Sequence, residues 1–339
     1  MIDVQALVAP ISDDAPSGPD LEYDPEFVEL ETVSRGKAEQ QFGDTVIPAE
    51  EPEWRDVASR AESLLGRSKD LRVGVLAARA ATRMDQVEGL SAGLELIKEL
   101  TERYWDTLHP DLDHEDNDDP TMRLNALAPL ADPETFLRDV RGVYLVASPQ
   151  HGRVAVRDIL IADNKLPAAA DETPMGATQI AGIVQAAGAE NPQPLQAALT
   201  ALEHLKALES FLSDKGVTSQ APDLRPLRDM LQSAAKVATE ALRASGGEVE
   251  GGEGEAAEGG EAGEGAPKRI SGQILTREDA IRVLENVCKF IEQSEPSNPA
   301  PLLIRRAQRL MSRNFMEIIQ DLAPESVDQI KKLAGLEES

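Results

Sequence analysis

The sequence predicts a mainly helical protein that is divided into more than one domain. Apolar residues make up 41% of its 339 residues and aromatic residues only 3%. The cores must therefore consist of aliphatic residues and Ala, a composition that favours helices over sheets. Apolar residues recur at helical spacing in several stretches, and a run of Gly and Glu interrupts the chain after residue 244. These observations together predict helical domains separated by a linker.

Residues 1–165 are expected to form the first helical domain. Two stretches carry apolar residues at a spacing that places them on one face of a helix. The first stretch contains Trp54, Val57, Ala58, Ala61, Leu64 and Leu65, and the second contains Leu90, Leu94, Ile97 and Tyr104. Three Asp-Pro pairs precede periodic stretches, at Asp24-Pro25, Asp119-Pro120 and Asp132-Pro133. An N-cap Asp followed by Pro is typical of a helix start.

Residues 143–156 interrupt the helical pattern. Two short apolar runs, Val143-Tyr144-Leu145-Val146 and Val154-Ala155-Val156, flank a Ser-Pro-Gln-His-Gly turn, which predicts a short β-hairpin or paired extended segments. A Pro- and Ala-rich joint at 166–175 then leads into a middle region, residues 176–244. Helices over 194–214 and 222–244 are expected there to pair as an antiparallel hairpin.

Residues 245–267 contain seven Glu and no Lys or Arg. This segment has almost no apolar surface to bury, so we expect a disordered linker. Residues 268–339 carry 11 acidic and 11 basic residues and are expected to form a small helical oligomerisation module. One of its helices should begin at Pro301, with Leu303 facing inward, and Cys288 should be a buried, inert thiol.

The net charge of −27 constrains the partners. Residues 1–244 carry 43 acidic and 23 basic residues, and such a surface repels nucleic-acid phosphates and anionic membranes. The sequence shows no apolar run long enough to span a membrane and no signal-peptide pattern at its start. A single cysteine excludes an internal disulfide and fits a reducing compartment. We therefore expect a cytoplasmic protein with protein partners.

The densest cluster of candidate ligands is the segment 109–119, which contains His109, His114 and several aspartates. A metal-dependent enzyme using this cluster is one alternative. As a calcium loop, however, it has Asp116 where the turn needs Gly and Met122 where a bidentate Glu belongs. We favour an acidic loop that ends in a helix N-cap. Since the common nucleophile and nucleotide-binding motifs are also missing, the sequence predicts no catalytic residue, metal or cofactor.

The C-terminal module contains the main cationic feature of the sequence. Its candidate interface residues are Leu302, Arg305, Arg306, Arg309, Arg313 and Phe315. A stripe of Arg could bind an acidic protein surface or nucleic acid, or could be a solvated face paired with nearby acids. The net charge of the chain favours a protein interface over a nucleic-acid one.

Three ordered motifs resemble the N-terminal domain of the TssA (ImpA) family. The first is PSGPDLEYDP at 16–25, and the second is EPEWRDV at 51–57 followed by LLGRSKDLRV at 64–73. The third is YWDTLHP at 104–110 with RLNAL at 123–127. The segments 295–307 and 315–318 also resemble the end of the shorter members of the family.

This resemblance implies a non-enzymatic assembly role in the type VI secretion system, a contractile injector. Proteins similar to TssA form rings through their C-terminal region and act at the baseplate and in assembly of the tail tube and sheath. The implied partners are therefore copies of the chain itself and the baseplate, sheath, tail-tube and spike proteins.

Overall fold

The computed structural model describes residues 2–37, 40–42, 45–169, 172–245, 284, 285, 288 and 299–311. The chain divides into two compact units, Met1–Gly251 and Gly252–Ser339. The expected linker, apart from Ser245, and most of the expected C-terminal module lie outside the described residues. The mainly helical prediction is confirmed. Within the described parts of the chain, no helix combines the length and apolarity needed to cross a bilayer.

The larger unit begins with helices α1 (Val4–Leu7) and α2 (Pro25–Ser34). Asp24 caps α2 as predicted, because its Oδ1 accepts a hydrogen bond of 2.9 Å from the Glu26 amide while Pro25 occupies the first turn. Strands β1 (Gln40–Phe42) and β2 (Thr45–Ile47) then pair in an antiparallel hairpin. The sequence did not predict this hairpin.

Helices α3 (Trp54–Leu65) and α4 (Leu71–Tyr104) contain the two predicted apolar faces. The residues that are fully buried on these faces are Val57, Ala61, Leu64, Leu65, Leu90, Leu94 and Ile97. The long helix α4 is broken at Gln86, whose φ of 57° and ψ of −134° are not helical.

The break divides α4 into two arms that pack against each other as an antiparallel hairpin. Glycines allow the close approach: a Cβ added at Gly93 would lie 2.7 Å from both Cα and Cβ of Ala78, and one at Gly89 would lie 2.0 Å from the Ala81 carbonyl oxygen. Gln86 stabilises the turn through its Oε1, which accepts a hydrogen bond of 3.0 Å from the Tyr144 amide.

Two of the three expected Asp-Pro caps are wrong. Helix α5 (Thr121–Leu127) begins with Pro120 at its N-cap, and Asp119 instead pairs with Asp113 through main-chain hydrogen bonds of 3.0 and 3.1 Å. Asp132 caps the turn that precedes helix α6 (Phe136–Arg141), accepting hydrogen bonds from the Glu134 amide and the Thr135 hydroxyl. An Asp-Pro pair can equally begin a tight turn, because Asp bonds readily to amides two residues ahead.

The second β-hairpin is confirmed. Strands β3 (Tyr144–Ser148) and β4 (Gly152–Ala155) pair antiparallel, with Ser148 opposite Gly152. Helix α7 (Val156–Ala162) follows directly.

The middle region contains the two predicted helices and one that was not predicted. Helices α9 (Gln193–Asp214) and α10 (Arg225–Ala244) form the expected hairpin, and α8 (Ala177–Glu190) precedes them. Helix α9 packs along α4, so one core continues across the joint at 166–175. The division of the chain into four parts stays a prediction.

The described part of the smaller unit contains helix α11 (Ala300–Met311), which matches the helix predicted to begin at Pro301.

Candidate functional site

The three motifs, at 16–25, 51–73 and 104–127, lie together in the larger unit. The Lys69 amide donates a hydrogen bond of 2.7 Å to the Ser17 carbonyl oxygen, which joins the second motif to the first. The His109 amide donates 3.0 Å to the Lys69 carbonyl, and the Leu71 amide donates 2.8 Å to the His109 carbonyl. These main-chain bonds join all three motifs at the N-terminus of α4. The motifs therefore build one structural junction.

The side chain of Lys69 is buried in this junction. Its Nζ donates hydrogen bonds of 2.7 Å to the carbonyl oxygens of Leu7 and Leu65. Burial lowers the pKa of Lys69 to about 8, because desolvation disfavours the charged ammonium. The ammonium thus connects α1 to the end of α3, and its burial leaves it inaccessible to a ligand.

Arg123 is a second buried cation, and it binds main-chain carbonyl oxygens of the third motif. Its guanidinium is fully buried and donates to the carbonyl oxygens of Trp105, Leu108 and Pro110, the last at 3.0 Å. It also lies 5.2 Å from the ring centroid of Trp105. Burial lowers the pKa of Arg123 to about 10, which still leaves it charged at neutral pH. The cation fixes the loop that leads into the acidic segment.

The histidines of the segment 109–119 lie in different surroundings. His109 is buried, and its Nε2 lies 3.0 Å from the Gly18 carbonyl oxygen. Its Nδ1 lies 3.0 Å from Asp111 Oδ1, without the alignment of a hydrogen bond. His114 is exposed and contacts Asp118 at 2.6 Å. In the described parts of the chain, no three His, Cys, Asp or Glu side chains are grouped so that they could hold a metal ion.

The acidic segment is a compact turn. Asp113 Oδ1 accepts hydrogen bonds from the amides of Glu115 and Asp116 at 3.0 and 3.3 Å. The acidic loop is thus built around Asp113, and the helix N-cap that we expected at its end is wrong, because Pro120 and not Asp119 occupies that position. The positions of its carboxylates follow from turn formation.

Helix α11 of the smaller unit contains the candidate interface residues. Leu302 is 71% exposed and Leu303 is 68% exposed. The expectation that Leu303 faces inward is therefore wrong; Pro301 is the residue of this turn that is buried. Arg306 is also exposed and follows Leu302 by four residues, so the described side chains on the exposed face of α11 include Leu302, Leu303 and Arg306.

The other predicted interface residues differ in position. Arg305 forms an ion pair of 3.7 Å with Glu285 in which both side chains are about 40% exposed, so its guanidinium already has an acidic partner within this unit. Arg309 lies in α11, but its side chain is outside the described residues, as are Arg313 and Phe315. Cys288 is buried as predicted, with its Sγ 3.7 Å from the Pro301 carbonyl oxygen.

The chain is similar to a known family, to a named protein and to a solved structure. The family model for the N-terminal region of ImpA, type VI secretion system, matches residues 8–132. The type VI secretion system component TssA1 of Pseudomonas aeruginosa is 40% identical over 346 residues, covering 99% of each chain. The solved N-terminal domain of the TssA component from Burkholderia cenocepacia, which includes the conserved ImpA_N region, is similar with a TM-score of 0.53 and 25% identity. That match covers 73% of this chain and 96% of the solved one.

Proposed function

Because this chain belongs to the TssA family, we propose that it is a non-enzymatic assembly component of a type VI secretion system. The observation that carries this proposal is the 40% identity that extends over nearly the whole of both chains. The matched region includes the junction, whose buried cations, Lys69 and Arg123, bind main-chain carbonyl oxygens and so stabilise the fold. The expected place of action is the cytoplasmic side of the machine.

We further propose that the chain assembles into a ring through residues 268–339. The exposed leucines of α11 support this, since burying both against another copy would remove apolar surface from water. Charge supports it as well. Residues 1–244 carry 20 more acids than bases and should repel their copies, whereas residues 268–339 are neutral. A head-to-tail contact between different patches of this module would close into a ring.

The oligomer can be tested in the full-length chain. We expect a large oligomer by mass photometry, and the variant Leu302→Asp/Leu303→Asp should shift the particles to monomers and dimers. The matched control is Met84→Asp, since Met84 is an exposed apolar residue of the larger unit. Charge reversal at Arg306 and Arg309 should also weaken the oligomer. A variant with both aspartates that keeps the full particle mass would refute the assignment to α11.

Function in the secretion system needs a separate measurement. The baseplate, tail-tube, sheath and spike proteins are the partners that we propose, and formation of sheath structures in cells can be followed by fluorescence of a labelled sheath protein. A strain without this protein should form far fewer sheaths, and the wild-type chain should restore them. If the deletion leaves sheath formation unchanged, the proposed role in assembly is wrong.

A further inference from the structure

Two exposed apolar side chains lie close together in sequence at the start of α2. Tyr23 is 90% exposed and Val28 is 52% exposed. The described residues contain six exposed large apolar side chains, and Tyr23 is the most exposed of them. Pro25 and Thr32 are exposed as well and, with Val28, follow helical spacing along the outer side of α2. Tyr23 thus precedes the first residue of this exposed helix face by two positions.

The backbone around Tyr23 is fixed by local hydrogen bonds. The Asp24 amide donates 2.9 Å to the Leu21 carbonyl oxygen, and Asp24 in turn caps α2. On the other side of Tyr23, the Glu22 amide donates 2.9 Å to Asp20 Oδ1. The ring is therefore presented from an ordered turn. A partner that binds it would lose little free energy in ordering this segment.

Two arginines fix the same turn to the body of the larger unit. Arg67 contacts the carboxylates of Asp24 and Glu26 at 2.5 and 2.8 Å. Arg72 contacts Glu22 at 3.2 Å, and its guanidinium lies 4.7 Å from the ring centroid of the buried Phe27. These contacts hold in place the acidic side chains that flank Tyr23 in the sequence.

The surface around Tyr23 nevertheless stays acidic. The side chains of Asp20, Glu22, Glu26 and Glu29 are each about half exposed. A carboxylate in contact with one arginine keeps oxygen lone pairs that can accept from a second donor. Five acids, Asp20, Glu22, Asp24, Glu26 and Glu29, share contacts with only three arginines, Arg60, Arg67 and Arg72. Nucleic acid, an anionic membrane and a second copy of the same surface would all be repelled.

We propose that Tyr23 and the outer face of α2 form a docking surface for a basic segment of another protein. The segment would place an apolar side chain against Tyr23 and Val28 and would bring Lys or Arg to the surrounding carboxylates. Tyrosine is enriched among the residues that dominate the energy of protein interfaces. Opposite charge around an interface speeds encounter and fixes the register of the two partners.

Photo-crosslinking in cells tests this proposal with the full-length chain. Benzoylphenylalanine is placed at position 23, and at position 84 as the control, because Met84 is exposed but lies outside this surface. We expect position 23 to crosslink to a different protein, through a peptide that carries a net positive charge by mass spectrometry. Glu26→Lys/Glu29→Lys should reduce the yield. The proposal is overturned if position 23 gives no product beyond the control, or reacts only with a copy of the chain or with an acidic peptide.

The affinity for a synthetic copy of the identified peptide then gives the contribution of the Tyr23 side chain to binding. Tyr23→Ala should weaken binding at least tenfold, Tyr23→Phe less than threefold, and higher salt should weaken binding to the wild type. Thermal unfolding and oligomer mass should stay unchanged in both variants, since Tyr23 is exposed and lies outside α11. Peptide affinity and oligomer mass therefore distinguish a failure of the docking proposal from a failure of the proposed ring-shaped oligomer. Equal affinity of Tyr23→Ala and the wild type would refute the docking surface.

Discussion

Replacing Gly93 by Ala tests the contact on which the hairpin within α4 depends. The added methyl group would lie 2.7 Å from Cα and Cβ of Ala78 and 3.1 Å from its carbonyl oxygen. Carbon atoms attract best at about 3.5–4.0 Å, so the two arms would have to separate by about 1 Å. The neighbouring atoms belong to the backbone or to a Cβ and cannot rotate away.

The expected magnitude follows from two opposing effects. Inserting a methyl group into a closely packed contact costs about 1–3 kcal/mol, and we expect about 3 because the contact is rigid. Alanine is better than glycine within a helix by about 1 kcal/mol, which offsets part of that cost. The free energy of unfolding should therefore fall by about 2 kcal/mol.

The matched control is Gly182→Ala in α8, where the added Cβ has nothing within 4 Å. At this position only the higher helix propensity of Ala acts, and the protein should become more stable by about 1 kcal/mol. Both variants can be compared with the wild type by urea unfolding followed by circular dichroism. If Gly93→Ala unfolds at the same urea concentration as the wild type or at a higher one, the close contact between the arms is wrong.

Three further outcomes follow from the junction and the hairpin. Arg123→Met should lower the free energy of unfolding by about 4 kcal/mol, because three buried carbonyl oxygens lose a charged donor, and Arg123→Lys should recover part of the loss in the same urea assay. The pKa of Lys69 is lower in the folded protein than in the unfolded chain. The free energy of unfolding should therefore rise by up to about 3 kcal/mol as the pH increases from about 8 to the usual lysine pKa. In Lys69→Met, the free energy of unfolding measured against pH should not show this rise. If the wild type does not show the rise either, the lowered pKa of the buried Lys69 is wrong. Gln86→Gly should be more stable than Gln86→Ala by about 1 kcal/mol in urea unfolding, the reverse of the order expected in a continuous helix.

The features predicted correctly are those in which side-chain spacing alone selects the structure. The apolar face of α3 and the hairpin of β3 and β4 both have a clear period, and both are present. The break at Gln86 has no such signal, since neither Gly nor Pro occupies the position. It depends on contacts between Gly93 and Ala78, which are 15 positions apart in the sequence.

The candidate interface was predictable only in part. The sequence showed an Arg-rich helix face. It did not show that Arg305 contacts Glu285 or that Leu303 is exposed. Which side of a short amphipathic helix is buried depends on what packs against it. The surface at Tyr23 was missed because its motif was interpreted only as a sign of the family. An aromatic residue among acids at a helix start is the signal that could have found it.

Lys69 and Arg123 contact the segments around them through main-chain carbonyl oxygens, and this has a consequence for how the protein tolerates mutation. Every amino acid supplies a carbonyl oxygen, so substitutions at Leu108 or Leu7 leave the acceptor in place, whatever they do to packing. Substitution of either cation removes all of its bonds at once. A scan of all single substitutions should therefore find these two positions much less tolerant than the acceptor positions. New side chains can then be tried on these loops while the path of their backbone is kept.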